Sequence, residues 1–198
     1  MPELKICGVN DVGFACEAVR LGVDYIGLIF AEGSPRRVDD ETACEIASRA
    51  KGVKLVGVFT TSEAGEIVRI AQRVGLDVVQ LHGEYCARDV QTLKAHGLEV
   101  WRLDDGGASL GEDATILDGH DGAKCGGTGR VADWSRVQQL KADMRKVVLA
   151  GGIGGDNIKA AIATGADVID VNSSLESYPG VKSVEKLARF IAAFKAAN

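Results

Sequence analysis

No run in this chain approaches the ~18 consecutive apolar residues that a membrane helix needs. No charged stretch followed by an apolar core opens the chain at Met1–Cys7, so no signal peptide is expected. Cysteines are few, odd in number and scattered: Cys7, Cys16, Cys44, Cys86 and Cys125 form no CxxC pair. That pattern argues against a disulfide framework and for free thiols in a reducing cytoplasm. The three histidines, His82, His96 and His120, are too dispersed for a zinc motif, so no metal is expected. Positive charge is not in excess either. A net charge of −5 argues against broad binding to nucleic acid or to an anionic membrane. A small anionic ligand in a local pocket stays open.

What is present is a globular composition, 46% hydrophobic and 26% charged, in 198 residues, enough for one well-buried domain spanning 1–198. Within it a phrase recurs. A glycine, a short polar step and a β-rich apolar run appear at Gly22 (GVDYIGLIF), Gly52 (GVKLVGVF), Gly75 (GLDVVQLHG), Gly97 (GLEVWRL) and Gly165 (GADVIDVN). Glycine suits the left-handed turn that ends a helix, and a short apolar run suits a parallel strand covered on both faces. The first four phrases lie 30, 23 and 22 residues apart, about one βα unit each. The 68 residues from Gly97 to Gly165 leave room for three more units. Strands near Leu4–Cys7, Ala114–Asp118 and Lys146–Ala150 bring the total to eight. Helical patterns lie between them at Glu41–Ala50, Glu63–Val74, Arg88–Ala95, Trp134–Ala142, Asp156–Thr164 and Ser183–Ala196. Strict alternation gives a parallel sheet, and eight units favour a single (β/α)8 TIM barrel over an open sheet. The Gly-rich stretch DDGGASLGED at Asp104–Asp113 is a poor helix, so the fifth helix should be short or missing.

In such a barrel the chemistry sits where strands end. Polar and glycine residues collect there: Cys7-Gly8, Arg36-Arg37 beyond the second strand, His82-Gly83, Asp118, Gly151-Gly152 and Asn172-Ser173-Ser174. Strand alternation turns Lys5 and Cys7 inward if Leu4 and Ile6 face the helices, and turns Asp118 inward with Ile116. A thiol and a carboxyl would then flank one mouth. Lys5 beside Cys7 is expected to lower the thiol pKa and supply some thiolate. Three glycine-containing turns suit a phosphate: Cys125–Gly129, with Gly127 at its centre, Leu149–Ile153, and Val171–Glu176. Turns after strands seven and eight occupy the usual phosphate site of these barrels.

Phrases along the whole chain carry a family resemblance. KICG (5–8), GLIF with SPRR (27–37), VGVF (56–59), VQLHG (79–83), LD (117–118), GGTG with DW (126–134), LAGGI (149–153) and NSSLES.PG.K (172–182) stand in order. With them the sequence resembles the phosphoribosylanthranilate isomerase family of tryptophan biosynthesis. The resemblance implies an Amadori rearrangement of N-(5′-phosphoribosyl)anthranilate without any cofactor, by Asp118 as general acid and Cys7 as general base. It also implies that Arg36 pairs with the anthranilate carboxylate, in a cytoplasmic enzyme that is a monomer or a homodimer. Asn10 stands where the family often has threonine, Ser174 where it often has glycine, and Ser183 where it often has aspartate.

Blander roles stand beside these. His82 either walls the pocket or packs, and Asp170 either orients substrate or is a satisfied barrel carboxylate. Trp101 and Trp134 read as packing anchors, and Cys16, Cys44 and Cys86 as helix-face or cap residues. Rival functions are the histidine-pathway aminoaldose isomerase, which uses two aspartates, and indole-glycerol-phosphate synthase, which needs a catalytic lysine and glutamate. A barrel that binds phosphate without turnover is a third.

Overall fold

The computed structural model describes residues 1–119 and 134–197. Eight parallel strands close into a barrel in sequence order. They are β1 (Glu3–Ile6), β2 (Tyr25–Ile29), β3 (Lys54–Phe59), β4 (Val78–Leu81), β5 (Glu99–Leu103), β6 (Ala114–Leu117), β7 (Lys146–Leu149) and β8 (Val168–Val171). Around them lie α1 (Val12–Leu21), α2 (Asp40–Arg49), α3 (Ala64–Val74), α4 (Ala87–Ala95), α5 (Arg136–Ala142), α6 (Ile158–Ala163) and α7 (Val184–Ala197). No helix stands between β5 and β6, as the glycines of that stretch lead one to expect. After β8 the chain makes a short 3-10 turn, Ser173–Leu175, and a small hairpin of β9 (Glu176–Tyr178) and β10 (Val181–Lys182). No helix among the described residues is long and apolar enough to cross a membrane.

Alternation along each strand divides two apolar regions. Leu4 and Ile6 of β1, Ile26 and Leu28 of β2, and Val79 and Leu81 of β4 join the outer core under the helices. Tyr25, Val56, Val78, Trp101, Ile116, Val148 and Val168 fill the barrel itself. Each such side chain gains roughly 1.5–3 kcal/mol on leaving water, so a one-residue slip of any strand would forfeit several kcal/mol.

The polar step of the repeated phrase has a second task. Asp24, Asp77, Asp113 and Asp167 stand just before β2, β4, β6 and β8. Their carboxylates accept from the backbone N–H groups of Leu4, Leu55, Val100 and Val147, at 2.7–2.9 Å. Their own N–H groups donate to the carbonyls of the same four residues. Each even strand is thus clamped to the odd strand before it by one aspartate. Paired backbone groups at these strand starts leave the barrel register little freedom.

Where a helix is absent, ions do the covering. Arg102 turns outward from β5 and donates to Asp105 (2.7 Å) and to the Ala108 carbonyl (3.1 Å). The loop is anchored at its far end by Lys94, which reaches Asp113 at 2.6 Å.

Candidate active site

At the C-terminal end of the strands the barrel opens into a cavity of about 470 Å³. Cys7, Arg36, His82, Asp118, Asp170 and Asn172 line it, together with Ser173, Gly151 and Gly152. These are all the candidate site residues read from the sequence except Gly127. Gly127, with Cys125 and His120, lies outside the described residues.

Cys7 follows β1 and packs against Ile29 and Val58, in the layer just above the barrel filling. Beneath it Lys5, fully buried, donates to Asp170 Oδ2 at 2.6 Å, and the two residues are register partners across β1 and β8. The other oxygen, Oδ1, is buried with no hydrogen-bond partner among the described residues. Burial works against the Lys5 charge, but Asp170 and Cys7 beside it outweigh that, so its pKa lies above the ordinary value.

The expectation for the thiol needs correcting. Burial pushes the Cys7 pKa up, and the Asp170 charge adds to the rise. Lys5 and Lys182 pull it down, as the sequence suggests for Lys5, without offsetting that rise. A cation neighbouring a thiol does not by itself make a thiolate when both groups have left water.

Asp118 follows β6, three strands around the closed barrel from Cys7. Gly151 makes room for it. Its φ of +85° favours glycine, and a Cβ there would fall 2.2 Å from the Gly119 nitrogen and 2.6 Å from Asp118 Oδ1. The loops after β7 and β8 are stitched to each other and to themselves. Asn157 accepts from the Gly154 N–H (2.8 Å) and donates to the Gly152 carbonyl (2.9 Å). Ser174 donates to the Ile153 carbonyl at 2.7 Å and so ties the two loops together.

Arg36 is held along one edge by a carboxylate. Its Nε and Nη2 donate to the two oxygens of Glu176 at 2.7 and 2.8 Å. Lys182 donates to Glu176 Oε1 as well, at 3.0 Å. Glu176 and Lys182 were not among the candidates, although both stand in the NSSLES.PG.K phrase. Their meeting depends on the hairpin that folds Lys182 back over Glu176, which no residue spacing announces. Gln80 was also missed. It lines the cavity, hydrogen-bonds through its amide nitrogen to His82 Nε2, and buries an unpartnered Oε1. Its signal was available, a lone polar residue inside the apolar run VVQL. Trp134 is half-buried against the outer core, and Cys44 likewise, while Cys16 and Cys86 are exposed. Among the described residues no group of three or more His, Cys, Asp or Glu side chains is placed to hold a metal ion.

The family model described as N-(5′phosphoribosyl)anthranilate (PRA) isomerase matches residues 4–193. The chain belongs to that family. It thereby joins the isomerases of tryptophan biosynthesis. An N-(5′-phosphoribosyl)anthranilate isomerase of Rubrobacter xylanophilus is 38% identical over 207 residues, covering 98% of this chain and 100% of the relative. Among solved structures, the phosphoribosyl anthranilate isomerase of Thermus thermophilus superposes with a TM-score of 0.90 at 31% identity, covering 99% of this chain and 100% of that one. A phosphoribosyl anthranilate isomerase in complex with reduced 1-(o-carboxyphenylamino)-1-deoxyribulose 5-phosphate gives a TM-score of 0.84 at 29% identity, with the same coverage. The barrel and the family phrases therefore agree over nearly the whole chain.

Proposed function

We propose that this protein converts N-(5′-phosphoribosyl)anthranilate into 1-(2-carboxyphenylamino)-1-deoxyribulose 5-phosphate by general acid–base catalysis in the cytoplasm, as a monomer or homodimer. One observation carries the reading: Cys7 and Asp118 face the same cavity from separate strands. An acid and a base on one substrate are what an aldose–ketose rearrangement requires.

Asp118 gives its proton to the furanose ring oxygen. The bond from C1′ to that oxygen breaks, and the nitrogen lone pair forms a protonated Schiff base. Cys7, as thiolate, takes the proton from C2′, and the electrons of that bond make an enolamine. Loss of the C2′ hydroxyl proton and gain of a proton at C1′ complete the ketone, with no net change in atoms.

A raised thiol pKa means that little of Cys7 is thiolate near neutral pH, so the fraction of active base climbs with pH. Lys5 and Lys182 keep that fraction from being smaller still. Gly151, Gly152 and Ser173 offer backbone N–H groups to the 5′-phosphate. Asp170 Oδ1 accepts from a substrate hydroxyl, which would give that buried oxygen its missing partner. Arg36 takes the anthranilate carboxylate, a planar task for a guanidinium. Asn172 and His82 close the sides of the cavity around the substrate.

The test is the fluorescence decay of phosphoribosylanthranilate, generated in situ, on adding the purified protein. Rapid loss with an isomeric product of unchanged mass is expected. A protein that binds a product analogue but never turns the substrate over would return the barrel to a non-catalytic role.

A further inference from the structure

Arg36 does not meet the cavity alone. It belongs to a buried chain of charges whose other members, Glu176 and Lys182, have side chains only 4% and 1% exposed. Glu176 occupies one edge of the guanidinium, that of Nε and Nη2. A guanidinium has a second edge capable of bidentate pairing, formed by Nη1 and Nη2. With the first edge taken, the second is the one left for an anion in the cavity. Gly8 lets the side chain lie close by: its φ is +69°, and a Cβ there would fall 2.9 Å from Arg36 Cδ.

Charge counting shows why a third member is needed. Arg36 and Glu176 by themselves sum to zero, and a carboxylate approaching such a pair meets the Glu176 charge as well as the guanidinium. Lys182 restores one net positive charge. It does so without touching substrate, because its three ammonium hydrogens are all committed. They go to Glu176 Oε1 (3.0 Å), to Asn172 Oδ1 (2.7 Å) and to the Asn172 carbonyl (3.0 Å).

We infer that Glu176 and Lys182 are positioning residues: Glu176 fixes the plane of Arg36, and Lys182 leaves the trio net positive so that Arg36 selects a substrate carrying a carboxylate. Burial draws the Lys182 pKa below the ordinary lysine value, and Glu176 opposes that draw. Burial works to raise the Glu176 pKa, but the bonds from Arg36 and Lys182 outweigh it and hold the group ionised below the ordinary glutamate value. The inference rests on the proposed reaction, since it concerns the carboxylate of that substrate.

The experiment measures kcat and KM with N-(5′-phosphoribosyl)anthranilate and with the analogue that lacks the ring carboxylate, N-(5′-phosphoribosyl)aniline. Wild type, Lys182→Met and the double variant Glu176→Gln/Lys182→Met are compared, with thermal melts confirming that each is folded. Lys182→Met should raise KM for the carboxylate substrate by roughly tenfold or more, and any fall in kcat from its lost pull on the Cys7 thiol should be the same with both substrates. With the analogue KM should move less than about twofold. The double variant returns the net charge to one positive and should recover part of the loss, the remainder being the Arg36 plane that Glu176 no longer fixes. Should the single variant fail to fold, the double variant still binds the carboxylate substrate more tightly than the analogue. A purely structural role would make the double variant worse than the single. Three outcomes overturn the inference: no rescue, equal rises in KM with both substrates, or a Lys182→Met defect that weakens inhibition by inorganic phosphate instead. A wild type that turns over neither substrate would remove the proposed reaction, and the inference with it. Turnover of both with equal KM would remove only the role of Arg36.

Discussion

The two ends of this barrel are built on opposite plans. At the N-terminal end Tyr25 and Trp101 plug the opening edge to face, ring centroids 5.0 Å apart. Around them Glu3, Lys54, Glu99 and Lys146 form a ring of half-exposed ions. Each polar group of the plug has a partner there. The Trp101 indole N–H donates to Glu99 at 2.7 Å, and the Tyr25 hydroxyl donates to Glu3 at 2.9 Å. At the C-terminal end the side chains of Lys5, Asp170, Glu176 and Lys182 are buried, and oxygens of Asp170 and Gln80 are left without partners among the described residues. A buried unpartnered acceptor costs roughly 1–3 kcal/mol, so a fold that keeps two beside one cavity holds them ready for hydrogen bonds from a ligand. One end is finished by the chain itself, and the other is left open to a ligand.

Three substitutions probe that contrast. The largest effect belongs to Lys5→Met, which strands the Asp170 carboxylate in the interior. Removing one partner of a buried pair costs about 3–5 kcal/mol, read as a lower urea midpoint. A change below about 1 kcal/mol would mean that the C-terminal ions are no more deeply committed than the surface ring.

Next comes the pH dependence of Cys7. The groups acting on the thiol are Lys5, Asp170 and Lys182, and burial sets the sign: its pKa lies above the ordinary cysteine value. The rate of alkylation by iodoacetamide should therefore keep rising with pH through and beyond the ordinary cysteine range. Asp170→Asn removes a negative neighbour and should move that rise to lower pH, whereas Lys5→Met should move it higher. Opposite movements would show that charge around Cys7 is arranged otherwise.

The smallest effect is expected at the other end. Lys54 is half-exposed, and its 3.3 Å pair with Glu99 is a surface ion pair. Lys54→Met should cost under about 1 kcal/mol and leave kcat/KM unchanged, in the same assays.

Much of this was legible before any coordinates. The glycine that opens each repeated phrase marks where a helix ends, and period-two alternation was enough to turn Cys7 and Asp118 into the same mouth. The missing helix after β5 was readable from the glycines of Asp104–Asp113. Two kinds of information were not available in that way. The pairing of Arg36 with Glu176 spans 140 positions and depends on a hairpin whose return no periodicity encodes. The direction of the Cys7 pKa is a balance between burial and charge, and the sequence gives the neighbour, Lys5, but not the depth. The clamping aspartates fall between these cases. Asp24, Asp77 and Asp167 are visible as the polar step of the phrase, yet only the closed barrel shows which N–H each one accepts from.

The most direct test of the C-terminal end as an acid–base site is the steady-state loss of phosphoribosylanthranilate fluorescence with Cys7→Ser and Asp118→Asn, beside thermal melts of both. The account requires kcat/KM to fall by roughly a hundredfold or more in each variant, with melting temperatures close to wild type. Turnover near the wild-type rate in either variant would contradict it, and would move the chemistry to another pair of groups in the same cavity.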